Sequence, residues 1–449
     1  MKILHYFLGF PPYRSGGLTK FATDLMCSQA KSGHFVSALW PGRMSFFSKK
    51  TKIRRGRPIK GVVSYELINP MPVPLDEGIQ NVEAFVKSRD AGLFERFFRT
   101  IAPEVIHIHT LMGLPKEMLE LAHAMGIRVV FTAHDYFGLC PKVTLFRHGD
   151  VCADDDHCEA CVECNNHALS LRKIAMLQSP LYRRLKDFSI FQKLRRIHRL
   201  KFEQGQSGCK PNILKKNKNR FEDYCKLRAY YMGMFALVDV FHFNSSQTEA
   251  IYRKFINPGL AKVISITHRN IADNRRCALN KKRAGKFRLT YLGPAKSFKG
   301  FFVIKQALNE LWKQGWKNFE LQLFCPVDYK EPYMECKNRK YEYSELERIF
   351  ANTDVLLLPS LWYETFGFTI LEALSYGVPV ILSNRVGAKD IVADGGIIVK
   401  ADSVDDLKNA VLTIAENCDF FRSNVQQHCT IKPWNSFLKE METLYRIKE

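Results

Sequence analysis

Short apolar runs that alternate with helix-length amphipathic stretches dominate both ends of this 449-residue chain. In the first 135 residues, the apolar runs are 2–7, 35–40, 105–109 and 129–133, and the amphipathic stretches are 18–32 and 116–125. Strands that are apolar on both faces and separated by helices are typical of parallel sheets covered by helices. A single sheet of antiparallel hairpins is therefore excluded for this part of the chain.

The second half repeats the alternation. Its apolar runs are 287–292, 319–324, 355–358, 380–382 and 397–399, and its helical stretches follow Gly300, Tyr343 and Phe368. A polar, basic connector at 270–286 separates the halves. The sequence therefore predicts two doubly wound α/β domains. We expect a ligand at the carboxyl ends of the strands, in a cleft between the domains.

Composition and charge limit the class of protein. Apolar residues make up 46% and charged residues 25%, which excludes global disorder. No apolar run reaches the ~18 residues needed to span a bilayer, and the first residues lack a signal-peptide cleavage site. We therefore expect a cytoplasmic protein. The 67 Lys and Arg against 45 Asp and Glu, a net charge of +22, favour an anionic partner.

More than half of the surplus charge lies in an insert at 170–232. Residues 172–228 hold 17 basic and four acidic residues. Ser179 and Pro180 form a helix start signal, and apolar residues then recur every three or four positions. The pattern predicts a basic amphipathic helix. It packs either on its own domain or on an anionic membrane surface, at the inner face of the plasma membrane.

Five cysteines lie within a second insert at 140–167. They are Cys140, Cys152, Cys158, Cys161 and Cys164. Four thiolates can bind zinc tetrahedrally, so a structural zinc site is one interpretation. Reduced thiols, or disulfides in an exported chain, are the alternatives.

Two glutamates flank the start of a predicted helix in the second half. A buried strand ends at Pro359 and Ser360, a loop carries Glu364, and the helix that holds Glu372 follows Gly367. Backbone N–H groups at a helix start favour anions, and glycine lets a ligand approach the backbone. Carboxylates bind neighbouring hydroxyls well. The spacing therefore indicates a site for a sugar or a ribose.

This segment resembles the donor site of retaining glycosyltransferases of family 4, the group 1 glycosyl transferases, which have the two-domain GT-B fold. The shared features are Pro-Ser, two glutamates with Phe-Gly between them, and the Gly-x-Pro-Val at 377–380. Further motifs match at the glycine-rich loop 11–17, the strands 105–109 and 129–135, the loop 293–300 and the helix 434–445.

The resemblance implies an architecture and an activity. The N-terminal, acceptor-side domain would be 1–272, the nucleotide-sugar-binding domain 286–430, and 431–449 a helix that crosses back. The enzyme would transfer a sugar, with retention and without a catalytic metal, from a UDP- or GDP-sugar to a glycan or polyprenyl-diphosphate-linked acceptor. Bacterial surface polysaccharide or O-antigen synthesis is the implied setting.

The resemblance also implies residue roles. The catalytic residues would be His134, which contacts the transferred sugar, together with Glu364 and Lys299. Lys299 would neutralise the donor diphosphate, and Glu372 would hold the ribose hydroxyls. The donor-binding residues would be Gly16, Gly17, Gly293, Lys296, Lys299, Glu364, Phe366, Gly367, Phe368 and Glu372.

One departure from the family pattern keeps a second interpretation open. Pro294 stands where the family often has an arginine. The nearby Lys296 does not reproduce the geometry of a guanidinium fork. A GT-B protein that binds nucleotide sugars without turnover is therefore an alternative. A zinc-containing nucleic-acid-binding protein is another, but it leaves the two glutamates unexplained, so we expect no nucleic-acid partner.

Overall fold

The computed structural model describes residues 1–45, 50–152, 158–185, 188, 218–275, 285–327 and 330–447. The chain divides into two compact units. The first comprises Met1–Phe131, Tyr136–Val143 and Asp154–Asp239, and the second Thr132–Asp135, Thr144–Ala153 and Val240–Glu449. About half of the predicted basic insert 170–232, at 186–187 and 189–217, lies outside the described residues.

Parallel strands form the sheet of the first part of the chain. They are β1 (Lys2–Tyr6), β2 (Phe35–Pro41), β3 (Lys52–Arg55), β4 (Val63–Ile68), β5 (Val105–Ile108) and β6 (Arg128–Ala133). They lie in the order β6-β5-β1-β2-β4-β3, and β3 alone runs antiparallel to its neighbour. In the register, Ile3 of β1 lies opposite Val36 of β2 and Val105 of β5.

Helices accompany these strands, and those at 17–31 and 116–124 match helices that the sequence predicts. They are α1 (Gly17–Lys31), α2 (Ala91–Ile101), α3 (Lys116–Ala124), α4 (Glu159–Cys164), α5 (Leu171–Leu177), α6 (Pro180–Leu185) and α7 (Lys218–Phe235). Polar side chains begin several of them, because the first N–H groups of a helix lack partners within it. Asp90 accepts from Gly92 N, and Ser179 Oγ accepts from Tyr182 N. The predicted helix start at Ser179 and Pro180 is confirmed.

The second unit contains its own parallel sheet. The strands of this unit are β7 (Phe146–Arg147), β8 (Asp150–Val151), β9 (Val240–Phe243), β10 (Leu260–Val263), β11 (Phe287–Tyr291), β12 (Phe319–Leu323), β13 (Met334–Cys336), β14 (Val355–Leu358), β15 (Val380–Ser383) and β16 (Gly396–Val399). Six form a sheet in the order β13-β12-β11-β14-β15-β16. The strands β9 and β10 form a parallel pair, and β7 and β8 an antiparallel one.

Helices of the second unit cover this sheet. They are α8 (Ser246–Tyr252), α9 (Phe301–Lys313), α10 (Leu346–Ala351), α11 (Phe368–Ser375), α12 (Val404–Glu416), α13 (Cys418–His428) and α14 (Trp434–Arg446). A buried cluster joins Leu289 and Leu357 of the sheet to Ile304 of α9 and Val411 of α12. The predicted strands and helices of this half are confirmed, with ends that shift by one or two residues.

The division into units differs from the predicted domain bounds. It assigns residues 240–272 to the second unit, whereas the sequence places them in a domain 1–272. Polar contacts explain the assignment, because Ser245 and Thr248 both donate to the carbonyl of Thr365. The Phe437 ring of α14 lies 6.2 Å from the ring of His242 on β9, so the last helix contacts the 240–272 segment.

None of the helices in the described ranges combines the length and the apolar character needed to cross a membrane.

A close backbone approach at Gly300 gives the first testable prediction. Gly300 has φ 77°, and an added Cβ would lie 1.9 Å from the Pro359 carbonyl oxygen. Gly315 has φ 97° but open space around it, so it is a matched control. Both alanine variants incur the strain of a left-handed backbone, about 1–2 kcal/mol. We expect the clash to lower the free energy of unfolding of Gly300→Ala by ~1–3 kcal/mol more than that of Gly315→Ala.

Urea denaturation of the two variants and the parent protein measures this difference. An equal loss of unfolding free energy in Gly300→Ala and Gly315→Ala would contradict the prediction, because the backbone around Pro359 would then relax without cost.

Candidate active site

The site is built on a contact between two predicted catalytic residues, Lys299 and Glu364. Lys299 Nζ lies 2.8 Å from both carboxylate oxygens of Glu364. Each side chain is 18% exposed, so the pair is accessible from one side. The ammonium also lies 4.5 Å from the centre of the Trp362 ring, within the range of a cation–π interaction. The structure therefore brings these two predicted residues together.

The environment of Glu364 keeps its carboxylate ionised. Burial disfavours the charged form, but the Lys299 charge and hydrogen bonds from Lys299, Ser360 and Trp362 outweigh it, so the pKa of Glu364 is lowered. Ser360 Oγ and Trp362 Nε1 donate to Oε2 over 3.0 and 3.2 Å. Both oxygens thus accept hydrogen bonds, and the side chain is fixed in one position.

Backbone contacts hold the loop that carries Glu364. Its N–H donates to Arg385 O, and its carbonyl accepts from Gly387 N, both over 2.9 Å. An added Cβ at Gly387 would lie 2.1 Å from Thr365 O, so only glycine allows this approach. Ser245 Oγ and Thr248 Oγ1 bind the same Thr365 carbonyl over 2.7 and 2.9 Å.

Glu372 occupies a different environment, on helix α11. It is 1% exposed, and Oε1 lies 3.3 Å from Nε2 of the equally buried His268. Asn270 N donates to His268 Nδ1, which leaves the proton on Nε2 for Glu372. Oε2 of Glu372 has no hydrogen-bond partner among the described residues. A buried carboxylate oxygen without a partner is costly, and a hydroxyl-bearing ligand would supply one.

Aromatic rings pack on His268, the partner of this second glutamate. His268 contacts the rings of Tyr343 and Phe368 edge-on, with centroids 5.5 and 5.3 Å apart. The Phe366 and Phe368 rings lie 5.6 Å apart. Gly367 separates them with φ 104° and begins helix α11. The predicted residues 364–372 therefore lie on one short segment, with glycine at the helix start.

The loop before helix α9 contributes the predicted lysines. Tyr291 Oη donates to the carbonyls of Pro294 and Lys299 over 2.8 and 3.4 Å, which fixes both ends of the loop. Gly293 packs on the same ring, where an added Cβ would lie 2.5 Å from Tyr291 Oη. The Lys296 ammonium lies 5.2 Å from the centre of the Phe298 ring rather than beside Glu364.

His134 reaches the site through its backbone. Its carbonyl accepts from Thr365 Oγ1 over 3.1 Å, and Tyr252 Oη donates to the neighbouring Asp135 carbonyl. Burial, with a smaller contribution from His242, lowers the pKa of His134 to about 3, so the imidazole is neutral. One ring nitrogen of a neutral histidine donates a hydrogen bond, and the other accepts one.

The glycines of the first unit begin helix α1. Gly16 has φ 115° and open space around an added Cβ, and its carbonyl accepts from Lys20 N. Gly17 is the first residue of α1. The exposed backbone at this helix start suits an anionic ligand, as the sequence predicts.

The predicted zinc ligands divide between the units. Cys140, Cys158, Cys161 and Cys164 belong to the first unit and Cys152 to the second. Hydrogen bonding to Cys158, burial and the proximity of Cys140 raise the pKa of the Cys161 thiol. Among the described residues, the group of three metal-ligand side chains within 4.8 Å is formed by histidines, not by these cysteines. The zinc site therefore stays a prediction.

Three contributors were missed by the sequence analysis. His268, Ser245 and Thr248 bind Glu372 or the Thr365 carbonyl from distant parts of the chain. For His268 a signal was present, because it follows an apolar run at the carboxyl end of β10. Ser245 and Thr248 have the spacing of an N-cap residue and its partner at a helix start. The sequence pattern alone does not show that both also bind the Thr365 carbonyl.

Comparison with known proteins identifies part of the second unit. Residues 336–427, which contain both glutamates, match the model of the family described as glycosyl transferases group 1. An "uncharacterized 41.2 kDa protein in cps region" of Klebsiella pneumoniae is 34% identical over 97 residues, 21% of this chain and 26% of the relative. The O-antigen chain mannosyltransferase B of Escherichia coli is 37% identical over 68 residues, 15% of this chain and 18% of the relative. The matched part of the chain thus spans about a quarter or less of these two curated relatives.

Solved structures match over the whole chain. The α,α-trehalose 6-phosphate synthase of Burkholderia multivorans has a TM-score of 0.58 at 12% identity, with 99% of this chain and 96% of that chain covered. The fold is that of the GT-B glycosyltransferases. Anabaena HepE, solved in complex with UDP, has a TM-score of 0.55 at 14% identity, with both chains fully covered. The predicted GT-B fold class is confirmed.

The charge state of Glu364 gives a pH-dependent prediction. Because its folded-state pKa is lowered, its contribution to stability is complete above the unfolded pKa of about 4.3 and is lost as the pH falls through the folded value. We expect Glu364→Gln to destabilise the protein by about 1–3 kcal/mol at pH 7 and by less at pH 3, below the unfolded pKa.

Urea denaturation at the two pH values tests this expectation. Glu347→Gln, at an exposed glutamate of α10, is the control and should show a small effect at both. A loss for Glu364→Gln that is equal at both pH values would contradict the ionised pair.

Proposed function

We propose that the protein is a retaining, metal-independent glycosyltransferase that transfers a sugar from a nucleotide-sugar donor to a glycan acceptor. The observation that carries this proposal is the pair of contrasting glutamates on one short segment. Glu364 has both oxygens bound and lies beside a lysine, whereas Glu372 keeps one buried oxygen without a partner among the described residues. The first arrangement suits a charged diphosphate and sugar, and the second suits a ribose hydroxyl.

The residues of the site stabilise the leaving group. An ammonium has three N–H donors, and two of those on Lys299 point to Glu364. The third would bind a diphosphate oxygen. Charge develops on these oxygens as the bond to the sugar breaks, so a fixed cation and the amino end of helix α11 lower the barrier.

A same-face displacement fits these residues. The acceptor hydroxyl oxygen bonds to the anomeric carbon, the bond from that carbon to phosphate breaks, and the hydroxyl proton passes to the departing phosphate oxygen. No protein nucleophile is needed. Glu364 is poorly suited to attack the sugar, because both its oxygens already accept hydrogen bonds. Isolation of a covalent glycosyl–enzyme adduct would refute this route.

The relatives suggest the setting. One is encoded in a cps region and another is an O-antigen chain mannosyltransferase. We therefore propose that the acceptor belongs to surface polysaccharide synthesis and is linked to a polyprenyl diphosphate. A UDP- or GDP-sugar is the proposed donor, and the UDP complex of a fold neighbour supports a nucleotide diphosphate.

Donor binding provides the first test of this proposal. UDP, GDP, ADP and their hexose conjugates are screened for thermal stabilisation, where a ligand at 100 times its Kd adds about 2.7 kcal/mol. We expect one base to stabilise the protein, and Glu372→Gln to abolish that shift. Glu347→Gln should keep it. Stabilisation by none of the nucleotides would refute the proposal.

Turnover provides the second test. With the donor found in the screen and a membrane lipid extract as acceptor, release of nucleoside diphosphate measures kcat. We expect Lys299→Met to lower kcat by about 10²–10³-fold, the effect of removing one leaving-group contact. Donor hydrolysis without acceptor, or an unchanged rate in Lys299→Met, would contradict the proposed role.

Membrane association is a separate part of the proposal. Basic side chains near an anionic surface contribute about 1 kcal/mol each. The protein should float with anionic liposomes, and neutral substitutions at Arg183, Arg184, Lys186, Arg195 and Arg196 should weaken this. Equal flotation of the parent and the substituted protein would exclude the basic insert as the contact.

A further inference from the structure

Three buried histidines converge in the first unit. His5 lies on β1 and pairs in register with His107 on the neighbouring parallel strand β5. His109 follows two residues later and thus faces the same side of the sheet as His107. All three side chains are fully buried. One ring nitrogen from each lies within 4.8 Å of the others.

The spacing of these nitrogens is close to that of a metal site. Zinc binds imidazole nitrogen at about 2.0–2.1 Å, so two ligands in a tetrahedron lie ~3.4 Å apart. His5 Nδ1 lies 3.0 Å from His109 Nε2. The ring centroids of His107 and His109 are 4.1 Å apart, and those of His5 and His107 are 5.2 Å apart. Side-chain shifts below about 1 Å would bring the three nitrogens to zinc distance.

Gln29 of helix α1 orients the first of these rings. Its Oε1 lies 2.7 Å from His5 Nε2. An amide oxygen only accepts hydrogen bonds, so Nε2 carries the proton and Nδ1 presents its lone pair toward His109. A metal-binding histidine usually donates the N–H of its other ring nitrogen to an acceptor in this way.

We propose that His5, His107 and His109 form a binding site for a zinc ion in the interior of the first unit. Neutral imidazole nitrogens suit zinc among the available divalent ions. A small anion or hydroxide takes the fourth tetrahedral position and offsets the charge of the buried ion. The ion links β1 to β5. Because Gln29 of helix α1 binds His5, the ion also fixes the ring of His5 against this helix.

The rival explanation is a metal-free hydrogen-bond chain. In that case His109 Nε2 donates to His5 Nδ1 and His5 Nε2 donates to Gln29, so the polar atoms are satisfied without an ion. Both explanations predict that the histidines stabilise the fold. Metal content and coordination separate them, and stability alone does not.

X-ray absorption at the zinc edge of the full chain, dialysed against a chelator and reloaded with zinc, is the first test. We expect about one tightly held zinc per chain with imidazole nitrogen scattering. Sulfur coordination alone would assign the ion to the cysteine insert and overturn the proposal, as would less than about 0.2 zinc per chain. Because this experiment uses the unsubstituted protein, its outcome does not depend on whether a variant folds.

Variants then assign the ligands. His109→Asn removes Nε2 but keeps a polar group, and it should lose one equivalent of zinc. His123→Asn, at an exposed histidine of α3, and Cys158→Ser should keep that equivalent. Gln29→Leu should weaken zinc binding by about 10–100-fold in a chelator competition, the usual effect of removing an orienting acceptor. Unchanged zinc content in His109→Asn would refute the site.

Discussion

The ion pair between Lys299 and Glu364 is the interaction on which the rest of the site depends. The two residues follow different strands, β11 and β14, and their contact joins the loops after both. The approach of Gly300 to the Pro359 carbonyl permits this, because any side chain at Gly300 would separate the loops. Since the charges compensate each other, the cation is held in position before a ligand arrives. Preorganised charge of this kind costs no rearrangement during a reaction.

The carboxylates of Glu364 and Glu372 differ in their hydrogen-bond partners, and this difference separates their structural roles. Both belong to one sequence motif, yet the Glu364 carboxylate accepts from a lysine, a serine and a tryptophan, while the Glu372 carboxylate has one partner among the described residues, His268. A carboxylate with both oxygens hydrogen-bonded maintains the geometry of its neighbours. A buried carboxylate oxygen without a partner keeps the cost of burial until a hydrogen-bond donor, such as a ligand hydroxyl, is placed beside it. The motif spacing alone does not separate these roles.

The sequence allowed most of the central strands to be predicted, because buried parallel strands are continuous apolar runs. It did not predict β3, whose residues Lys-Ile-Arg-Arg lack such a run and lie at the edge of the sheet. The positions of Lys299, Glu364 and Glu372 could be predicted, since each lies just after a strand or in the helix that follows. The contacts of His268 and Ser245 could not, because they join segments about 100 residues apart or more.

Fold and substrate are therefore fixed by different parts of the chain. Structures with 12–14% identity share this fold because alternating strands and helices need only apolar residues at suitable intervals. In the proposed function, donor choice instead depends on a few polar atoms and rings around Glu372, where His268 contacts Tyr343 and Phe368. Substitution there leaves the sheet intact but changes which hydroxyls and bases find partners. A shared fold thus does not identify the substrate, which has to be determined from binding to this site itself.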